Sequence, residues 1–277
     1  MLLRLSHIVL LCTSSFKGIM AAAKPVDSCP STTAPRVNLG YARYEGIALS
    51  NGVNQFLGMR YAAPPTGSRR FRLPDRPLNE THLVLAHKHG ADCYGVNPSA
   101  PTPDLEFSED CLFINVYAPK NATLNKDGGL PVMLWIKAPL TTVLDRLQDQ
   151  MAAINWIHEH ISKFGSNPEK VTLFGTSVGG GIVLLHLLAY GGNSTNSSKQ
   201  WRAGTAQSMY LPSVYTVDEM QFHYDHLLTA TSCSDFGCLR QLPIEQFQAN
   251  NTAIPFPGQF EPALFGYGPT IDGSSLP

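Results

Sequence analysis

The sequence has little charge and no long apolar run beyond its N-terminus. Only 15% of its 277 residues are Asp, Glu, Lys or Arg, and the formal net charge is -1. A surface that binds nucleic acid or anionic lipid carries clustered Lys and Arg, so we expect neither partner. A membrane-spanning helix needs about 20 apolar residues in a row, so stable insertion into a membrane is not expected either.

The chain also lacks a Cys-x-x-Cys pair and any Cys/His spacing typical of a metal site. We therefore expect no metal and no other cofactor. Apolar side chains, in contrast, are abundant: 43% of the residues are hydrophobic. This length and composition suffice for one large domain or two small ones with a buried core, and they differ from those of a disordered chain.

Residues 1–23 have the features of a secretory signal peptide. Arg4 precedes a short apolar stretch from Ile8 to Cys12, and small residues follow at positions 21–23. A mitochondrial presequence and a gene-start artefact are the alternatives, because polar residues weaken the apolar stretch. We expect a secreted, extracellular protein whose domain comprises residues 24–277.

Sequons and cysteines favour the same compartment. Five Asn-x-Ser/Thr sequons, the acceptors of N-linked glycans, begin at Asn79, Asn121, Asn193, Asn196 and Asn250. The cysteines stand at positions 12, 29, 93, 111, 233 and 238. Cys93 with Cys111, and Cys233 with Cys238, are near enough in sequence to close small loops in an oxidising compartment. Free buried thiols are the alternative.

The order of the predicted elements indicates an α/β fold. Residues 39–62 alternate as two antiparallel strands joined by a turn at Ser50-Asn51-Gly52, and strands follow at 112–117, 131–136 and 171–174. Apolar residues recur every three or four positions from Leu147 to Phe164, where Gly165 ends the helical pattern. Further helices are predicted at 182–190 and 220–228. A hairpin followed by strand–helix–strand units predicts a mixed, mostly parallel sheet with an N-terminal antiparallel hairpin.

One short segment carries chemistry: VTLFGTSVGGG, residues 171–181. It predicts a buried strand, a tight turn and a helix, with Ser177 at the apex of a Gly-x-Ser-x-Gly motif. Flanking glycines let strand and helix approach closely, and the turn exposes the serine hydroxyl as a nucleophile. The N–H of Val178 would then face a developing oxyanion. An ordinary glycine-rich turn is the alternative; a Walker-type phosphate loop would need a Gly-Lys-Ser/Thr ending, which is absent.

With this motif the chain resembles the type-B carboxylesterases, a family with the α/β-hydrolase fold that includes cholinesterases and fungal lipases. Four segments carry the resemblance: NGVNQFLGMRYAAPPTGSRRFRLP (51–74), EDCLFINVYAP (109–119), the helix and elbow at 147–181, and GPTIDGSSLP (268–277). The resemblance implies hydrolysis of a small-molecule or lipid ester through an acyl-enzyme on Ser177, with Val178 as an oxyanion donor.

The same resemblance implies structural roles for other residues. Cys93–Cys111 and Cys233–Cys238 match family disulfides, and Arg70 with Glu109 matches a structural ion pair. Thr176 departs from the family's usual Glu, and Val178 from its usual Ala. Both departures change only side chains, so the backbone of the turn and the N–H of Val178 can keep the roles that the resemblance implies.

Two parts of the family's active site have no counterpart in the sequence. In the family, an HGGG-type loop follows the strand that here ends at Ile136. In this chain the helix at Leu147 begins soon after that strand. Relative to the family's alternation of strands and helices, the resemblance therefore implies a gap of roughly 50–60 residues. The triad acid and His fall beyond Pro277, so we expect the chain to lack both. The substitutes considered, none of them favoured, are His158, His160, His186, His223, His226, Asp225 and Asp272.

Three hypotheses follow from the sequence. The first is a serine ester hydrolase, as the family implies. The second is a non-catalytic binding or adhesion module, against which the retained Ser177 argues. The third is a truncated or internally deleted product that cannot act alone, because a serine hydroxyl without a general base is a weak nucleophile. We expect a poorly packed junction near residues 137–146.

Overall fold

The protein is described by a computed structural model. The residues that it describes are 8–11, 34–96, 106–123, 128–136, 147–189, 200–211, 213–262, 268–271 and 273. The junction at 137–146 lies outside them, as do Cys12, Cys29 and Asp272.

A seven-stranded mixed sheet forms the centre of the described chain. Its strands are β1 (Ile8–Leu11), β4 (Ile47–Ala48), β5 (Val53–Arg60), β9 (Phe113–Pro119), β10 (Leu130–Ile136), β11 (Ser166–Thr176) and β12 (Ala203–Gln207). From one edge to the other their order is β12, β11, β10, β1, β9, β5, β4.

The pairing confirms a mixed sheet that begins with an antiparallel hairpin. Strands β4 and β5 pair antiparallel around the predicted turn, and β5 pairs antiparallel with β9. Strands β10, β11 and β12 are mutually parallel, as strand–helix–strand units require. Strand β1 pairs parallel with β9 and antiparallel with β10. It lies within residues 1–23, the predicted signal peptide.

Short strands form three smaller sheets outside this centre. Their members are β2 (Arg36–Asn38), β3 (Arg43–Glu45) and β6 (Leu83–Leu85); β7 (Asp92–Cys93) and β8 (Phe107–Ser108); and β13 (Tyr215–Thr216) and β14 (Thr270–Ile271). The sequence predicted a single hairpin over residues 39–62. The first part of that segment instead contributes β3 to a separate sheet, so the hairpin of the central sheet is shorter than predicted.

Five α-helices lie in the described chain, and each begins or ends on a local signal. They are α1 (Leu147–His160), α2 (Val178–Leu188), α3 (Val217–Thr231), α4 (Phe236–Gln241) and α5 (Ile244–Asn250). A 3-10 turn over Ile161–Phe164 extends α1 to Gly165, which has φ +79° and ends the run as predicted. Thr216 and Glu219 form a capping box that starts α3.

The main core lies between the central sheet and the helices α1 and α2. Ile114 and Val116 of β9 and Val171 and Leu173 of β11 have no solvent exposure, and Leu134 of β10 is 1% exposed. The buried face of α1 covers this side of the sheet. The sheet and α1 therefore hold the carboxyl end of β11 in a fixed position, and that end carries Ser177.

Candidate active site

Ser177 lies at the apex of a strained turn between β11 and α2. Its backbone has φ +57° and ψ -123°, a conformation that side-chain-bearing residues rarely adopt, and the residue is exposed. It is also the N-cap residue of α2, but its side chain makes no cap hydrogen bond. Such strain persists only where the surrounding structure holds the residue in place, and here it presents a hydroxyl to solvent at the end of a buried strand.

Glycines permit the close approach of strand and helix that produces this turn. A Cβ built on Gly175 would lie 2.1 Å from the carbonyl oxygen of Gly179, and one on Gly181 would lie 2.1 Å from the carbonyl oxygen of Tyr210. Both neighbours are backbone atoms, which cannot move aside as a side chain can. The helix also begins at Val178 and not at Ile182, so the three glycines belong to its first turn.

A second segment ties the turn down from the neighbouring strand. The N–H of Ser177 donates to the carbonyl oxygen of Gln207 at 3.0 Å, and its carbonyl oxygen accepts from the N–H of Tyr210 at 3.1 Å. The hydroxyl of Thr176 donates to Oε1 of Gln207 at 3.4 Å. No pattern in the sequence indicated these contacts, because residues 207 and 210 lie on and just beyond β12, about 30 positions away.

Val178 occupies the first position of α2, and the residue is 5% exposed. The first N–H groups of a helix have no partner within the helix, and together they carry the positive end of the helix dipole.

None of the described histidines or carboxylates forms a hydrogen bond with the Ser177 side chain. His186 lies two turns further along α2, is 1% exposed, and contacts Oε1 of Gln150 through Nε2 at 2.6 Å. Burial lowers its pKa to about 4, so it stays neutral and fixed between α1 and α2. His223 on α3 is 2% exposed and packs on the rings of Phe222 and Phe256.

Three other substitutes also have partners away from Ser177. Nε2 of His158 contacts the carbonyl oxygen of Gln200 at 2.6 Å, and His160 packs against Tyr41 and Trp156. Burial, followed by nearby Lys163, lowers the pKa of His160. Asp225 is exposed and accepts a hydrogen bond from Gln221.

A cavity of about 660 Å³ lies beside α2. Its walls come from the loop that begins at Arg70, from the segment around Cys93 and Cys111, and from the helices α3, α4 and α5. This volume is in the range of small-molecule sites. Ile182 and Leu185 of α2 line it, but Ser177 is not part of its wall.

Arg70 anchors this wall and is itself 6% exposed. Its Nε and Nη2 donate to the two carboxylate oxygens of Glu109 at 2.5 and 2.8 Å. Its Nη1 donates to the carbonyl oxygens of Leu239 and Leu242 at 2.8 and 2.9 Å. One buried guanidinium thereby joins the N-terminal half of the chain to α4, as a structural ion pair would.

Two disulfides lie next to the same region. The structure joins Cys93 to Cys111 and Cys233 to Cys238. The first fastens the strand β7 to the segment before β9, and the second fastens the end of α3 to α4. Both pairs are those that the family resemblance implied.

The predicted glycosylation sites fall on different kinds of surface. Asn79 and Asn121 are exposed. Asn250 is half-buried, and its side chain donates to the carbonyl oxygen of Gln246. Asn193 and Asn196 lie outside the described residues.

Two kinds of feature are absent from the described chain. No helix in it is both long and apolar enough to cross a membrane. No group of three or more His, Cys, Asp or Glu side chains in it could hold a metal ion.

The sequence also matches a family model, in agreement with the elbow, the ion pair and the sheet order. The sequence model of the carboxylesterase family matches residues 33–139 and 146–277. The chain belongs to the carboxylesterase family, and its fold is that of the α/β-hydrolases, as the sequence predicted.

Individual relatives fall in the same family. The solved structure of EstA from Aspergillus niger superposes with a TM-score of 0.80 at 32% identity, over 88% of this chain and 56% of that one. Neuroligin-2 of Homo sapiens is 28% identical over 88% of this chain and 38% of its own length. Carboxylesterase patB of Penicillium expansum is 25% identical over 88% of this chain and 60% of its own length. The chain thus spans 38 to 60% of the length of these three relatives.

Proposed function

We propose that Ser177 is the nucleophile of a serine ester hydrolase site, with the N–H of Val178 as one oxyanion donor. The observation that carries the proposal is the exposed, strained serine at the end of a buried strand, with φ +57°. A binding scaffold has no use for that strain. Membership of the carboxylesterase family supports an ester as the substrate class.

The reaction is acyl transfer in two steps. The Oγ of Ser177 attacks the ester carbonyl carbon, the C–O bond to the alcohol breaks, and the serine proton leaves with the alcohol. Water then attacks the acyl-enzyme and returns the proton to Oγ as the carboxylic acid departs. Negative charge on the carbonyl oxygen in each step is stabilised by the N–H of Val178, and one such donor contributes about 10²–10³ in rate in comparable sites.

A second candidate is that this polypeptide alone is catalytically incompetent. The observation that favours it is that no described His or carboxylate forms a hydrogen bond with the Ser177 side chain, so none of them is placed to remove its proton. The family match is also interrupted between residues 139 and 146, where the resemblance placed an oxyanion loop. The alignment with Neuroligin-2 runs over 333 positions, more than the 277 residues of the chain, so that relative has residues without a counterpart here.

An adhesion or binding role is the remaining alternative. Its support is that Neuroligin-2, a relative not named as a hydrolase, matches as much of this chain as the named esterases do. Retention of the serine and of its strained turn weighs against it.

Active-site titration separates these functions. The purified chain is treated with a fluorophosphonate probe, beside Ser177→Ala, and folding is checked by circular dichroism. Labelling at one equivalent that is lost in Ser177→Ala supports the hydrolase and overturns incompetence. A folded chain that takes up no probe supports incompetence and overturns the claim that this polypeptide carries out the reaction by itself.

We also infer that the chain is exported, acts on a small-molecule or lipid ester, and carries N-glycans at Asn79 and Asn121. Two disulfides and the exposure of these two sequons support export. Glycosidase treatment of protein secreted from eukaryotic cells should raise its electrophoretic mobility. Replacing both Asn residues with Gln should remove most of that shift.

A further inference from the structure

The cavity beside α2 has a wall that ester hydrolysis does not use, because Ser177 is not part of it. The wall is mostly apolar, and the loop at residue 71 contributes to it together with α3, α4 and α5. A volume of about 660 Å³ and an apolar lining are typical of sites for small molecules. Six of its aromatic and aliphatic members are Phe71, Tyr224, Leu227, Phe236, Leu239 and Phe247.

Phe71 connects the aromatic rings of this wall. Its ring centroid lies 5.7 Å from that of Phe236 on α4 and 5.5 Å from that of Phe247 on α5. Phe236 in turn stacks on Tyr224 of α3, with the two centroids 4.5 Å apart. At these separations aromatic rings attract one another beyond the effect of burying their area. One loop residue therefore joins rings from all three helices.

The backbone at Phe71 is strained. Phe71 has φ +62°, and the preceding Arg70 has φ -54° and ψ 131°. The N–H of Arg72 donates to the carbonyl oxygen of Arg69 at 3.1 Å. This is the pattern of a type II turn, whose third residue needs a positive φ and is usually glycine. A bulky side chain there is an outlier, so the chain carries a large ring at a position where glycine would relax the backbone.

Contacts with α4 hold this turn in place. Nε of Arg240 donates to the carbonyl oxygen of Arg70 at 2.9 Å, and the Arg70 guanidinium donates to two carbonyl oxygens at the end of α4. Hydrogen bonds thus fix the peptide groups on both sides of Phe71. Strained residues persist only where the surroundings hold them, and they cluster at functional sites, including those that bind ligands.

The four charged side chains of the described wall have partners within the chain. The carboxylate of Glu109 accepts two hydrogen bonds from the Arg70 guanidinium. Arg72 and Asp149 also line the cavity, and neither is without a partner. A charged ligand would lose its hydration here without gaining a counter-charge, which is unfavourable. An uncharged ligand avoids that loss, and an aromatic one can also stack on the rings.

We propose that this cavity binds an uncharged aromatic small molecule, with Phe71 as the ring on which that molecule stacks. The ligand contacts the turn and three helices at once, and its binding to the folded chain alone stabilises the fold. Binding is independent of ester hydrolysis, because Ser177 does not line the cavity.

Fluorescence titration of the full chain with N-phenyl-1-naphthylamine tests the binding. This probe is uncharged and aromatic, and its emission rises in apolar surroundings. We expect one equivalent to bind, with the same Kd within twofold in Ser177→Ala, and a higher urea midpoint by circular dichroism when the probe is present. A cooperatively unfolding chain with no saturable binding, or with an unchanged midpoint, overturns the proposal. Fluorophosphonate labelling of the same preparation succeeds or fails independently, so failure of the hydrolase proposal is distinguishable.

Photo-cross-linking locates the ligand. Benzophenone is also uncharged and aromatic, and on illumination it forms a covalent bond at a nearby C–H group. Peptide mapping by mass spectrometry should place most cross-links on the peptides that contain Phe71, residues 220–227 or Phe247. An excess of N-phenyl-1-naphthylamine should reduce these cross-links at least fivefold. Cross-links that lie mainly outside the wall, or that persist in the excess, overturn the proposal.

Substitution of Phe71 separates a role in binding from a purely structural one. Phe71→Ala removes the ring and keeps the strained φ, whereas Phe71→Gly removes both. Both variants should bind the probe about tenfold more weakly, because stacking and burial are lost. Phe71→Gly should nevertheless unfold at a higher midpoint than Phe71→Ala.

The matched control is Leu73→Ala, on the same loop but outside the wall and 67% exposed. It should keep the wild-type Kd. A wild-type Kd in either folded Phe71 variant would mean that the ring only packs the helices, and it overturns the proposal. If neither variant folds, Phe71→Leu keeps the apolar bulk and should bind about threefold more weakly through the loss of stacking. An unchanged Kd in that variant has the same consequence.

Discussion

The elbow at Ser177 and the ion pair at Arg70 differ in where their parts come from. The elbow itself is a single strand–turn–helix segment from Gly175 to Gly181, and its distant contacts, from Gln207 and Tyr210, hold mainly its backbone. Arg70 instead binds groups 39, 169 and 172 positions away, and all its contacts are buried or half-buried. In the described chain, long-range hydrogen bonds stabilise the wall of the cavity, whereas no described side chain forms a hydrogen bond with the serine hydroxyl. A nucleophile can be presented locally, but its activation needs a partner from a distant segment.

Among substitutions that test this comparison, we expect the largest loss of unfolding free energy at Arg70. In Arg70→Ala the Glu109 carboxylate loses its bidentate partner and two carbonyl groups lose a donor. Removing one member of a buried pair costs about 3–5 kcal/mol. Urea unfolding should show this loss. The matched control Arg69→Ala removes an exposed pair with Asp75 and should cost at most about 1 kcal/mol. Similar losses in both variants would contradict the structural role of Arg70.

The next effect is a pH dependence caused by His186. Its folded pKa is about 4, below the usual 6.5, because burial disfavours the charged ring. As the pH falls from 6.5 toward 4, the unfolded chain takes up a proton and the folded chain does not. Stability is therefore full above pH 6.5 and falls by up to about 3 kcal/mol across this window.

Unfolding midpoints from pH 7.5 to 4.5 measure this dependence. His186→Gln should flatten the curve, although His160, whose pKa is also lowered, retains a slope of the same sign. Identical curves for the two proteins would mean that His186 titrates normally, and it would again be a candidate base.

A smaller effect tests the packing of the elbow. In Gly175→Ala the new Cβ would meet the backbone of Gly179. Overpacking of this kind costs about 1–3 kcal/mol. The neighbouring change Thr176→Ala, at an exposed position, should cost less than about 0.5 kcal/mol. Thermal unfolding compares the two, and equal melting temperatures would show that the elbow is looser than described.

The smallest effect concerns the strain itself. Glycine adopts positive φ freely, so Ser177→Gly should be about 1 kcal/mol more stable than Ser177→Ala. Such a gain would show that the fold maintains a strained backbone at the position that the chemistry requires. If Ser177→Gly is less stable than Ser177→Ala, the elbow has relaxed.

Much of the fold was predictable from local patterns. The apolar runs at 131–136 and 171–174 correspond to strands β10 and β11, in which alternate residues are buried. The three-to-four-residue spacing from Leu147 corresponds to α1 and its 3-10 extension. Glycine marked the helix end at Gly165. The division of residues 39–62 between two sheets was not predictable, because strand pairing depends on partners far along the chain.

By itself the sequence determined the family, the strand–turn–helix around Ser177 and the position of the serine at its apex. These features depend on residues that are adjacent or periodic, so local backbone preferences and apolar spacing suffice to specify them. Tertiary structure alone decided that Gln207 and Tyr210 brace the turn, that His186 is held by Gln150, and that Ile8–Leu11 lies between β9 and β10. Each of these contacts joins segments whose separation along the chain carries no periodic signal, and only the packing of the sheet and helices brings them together.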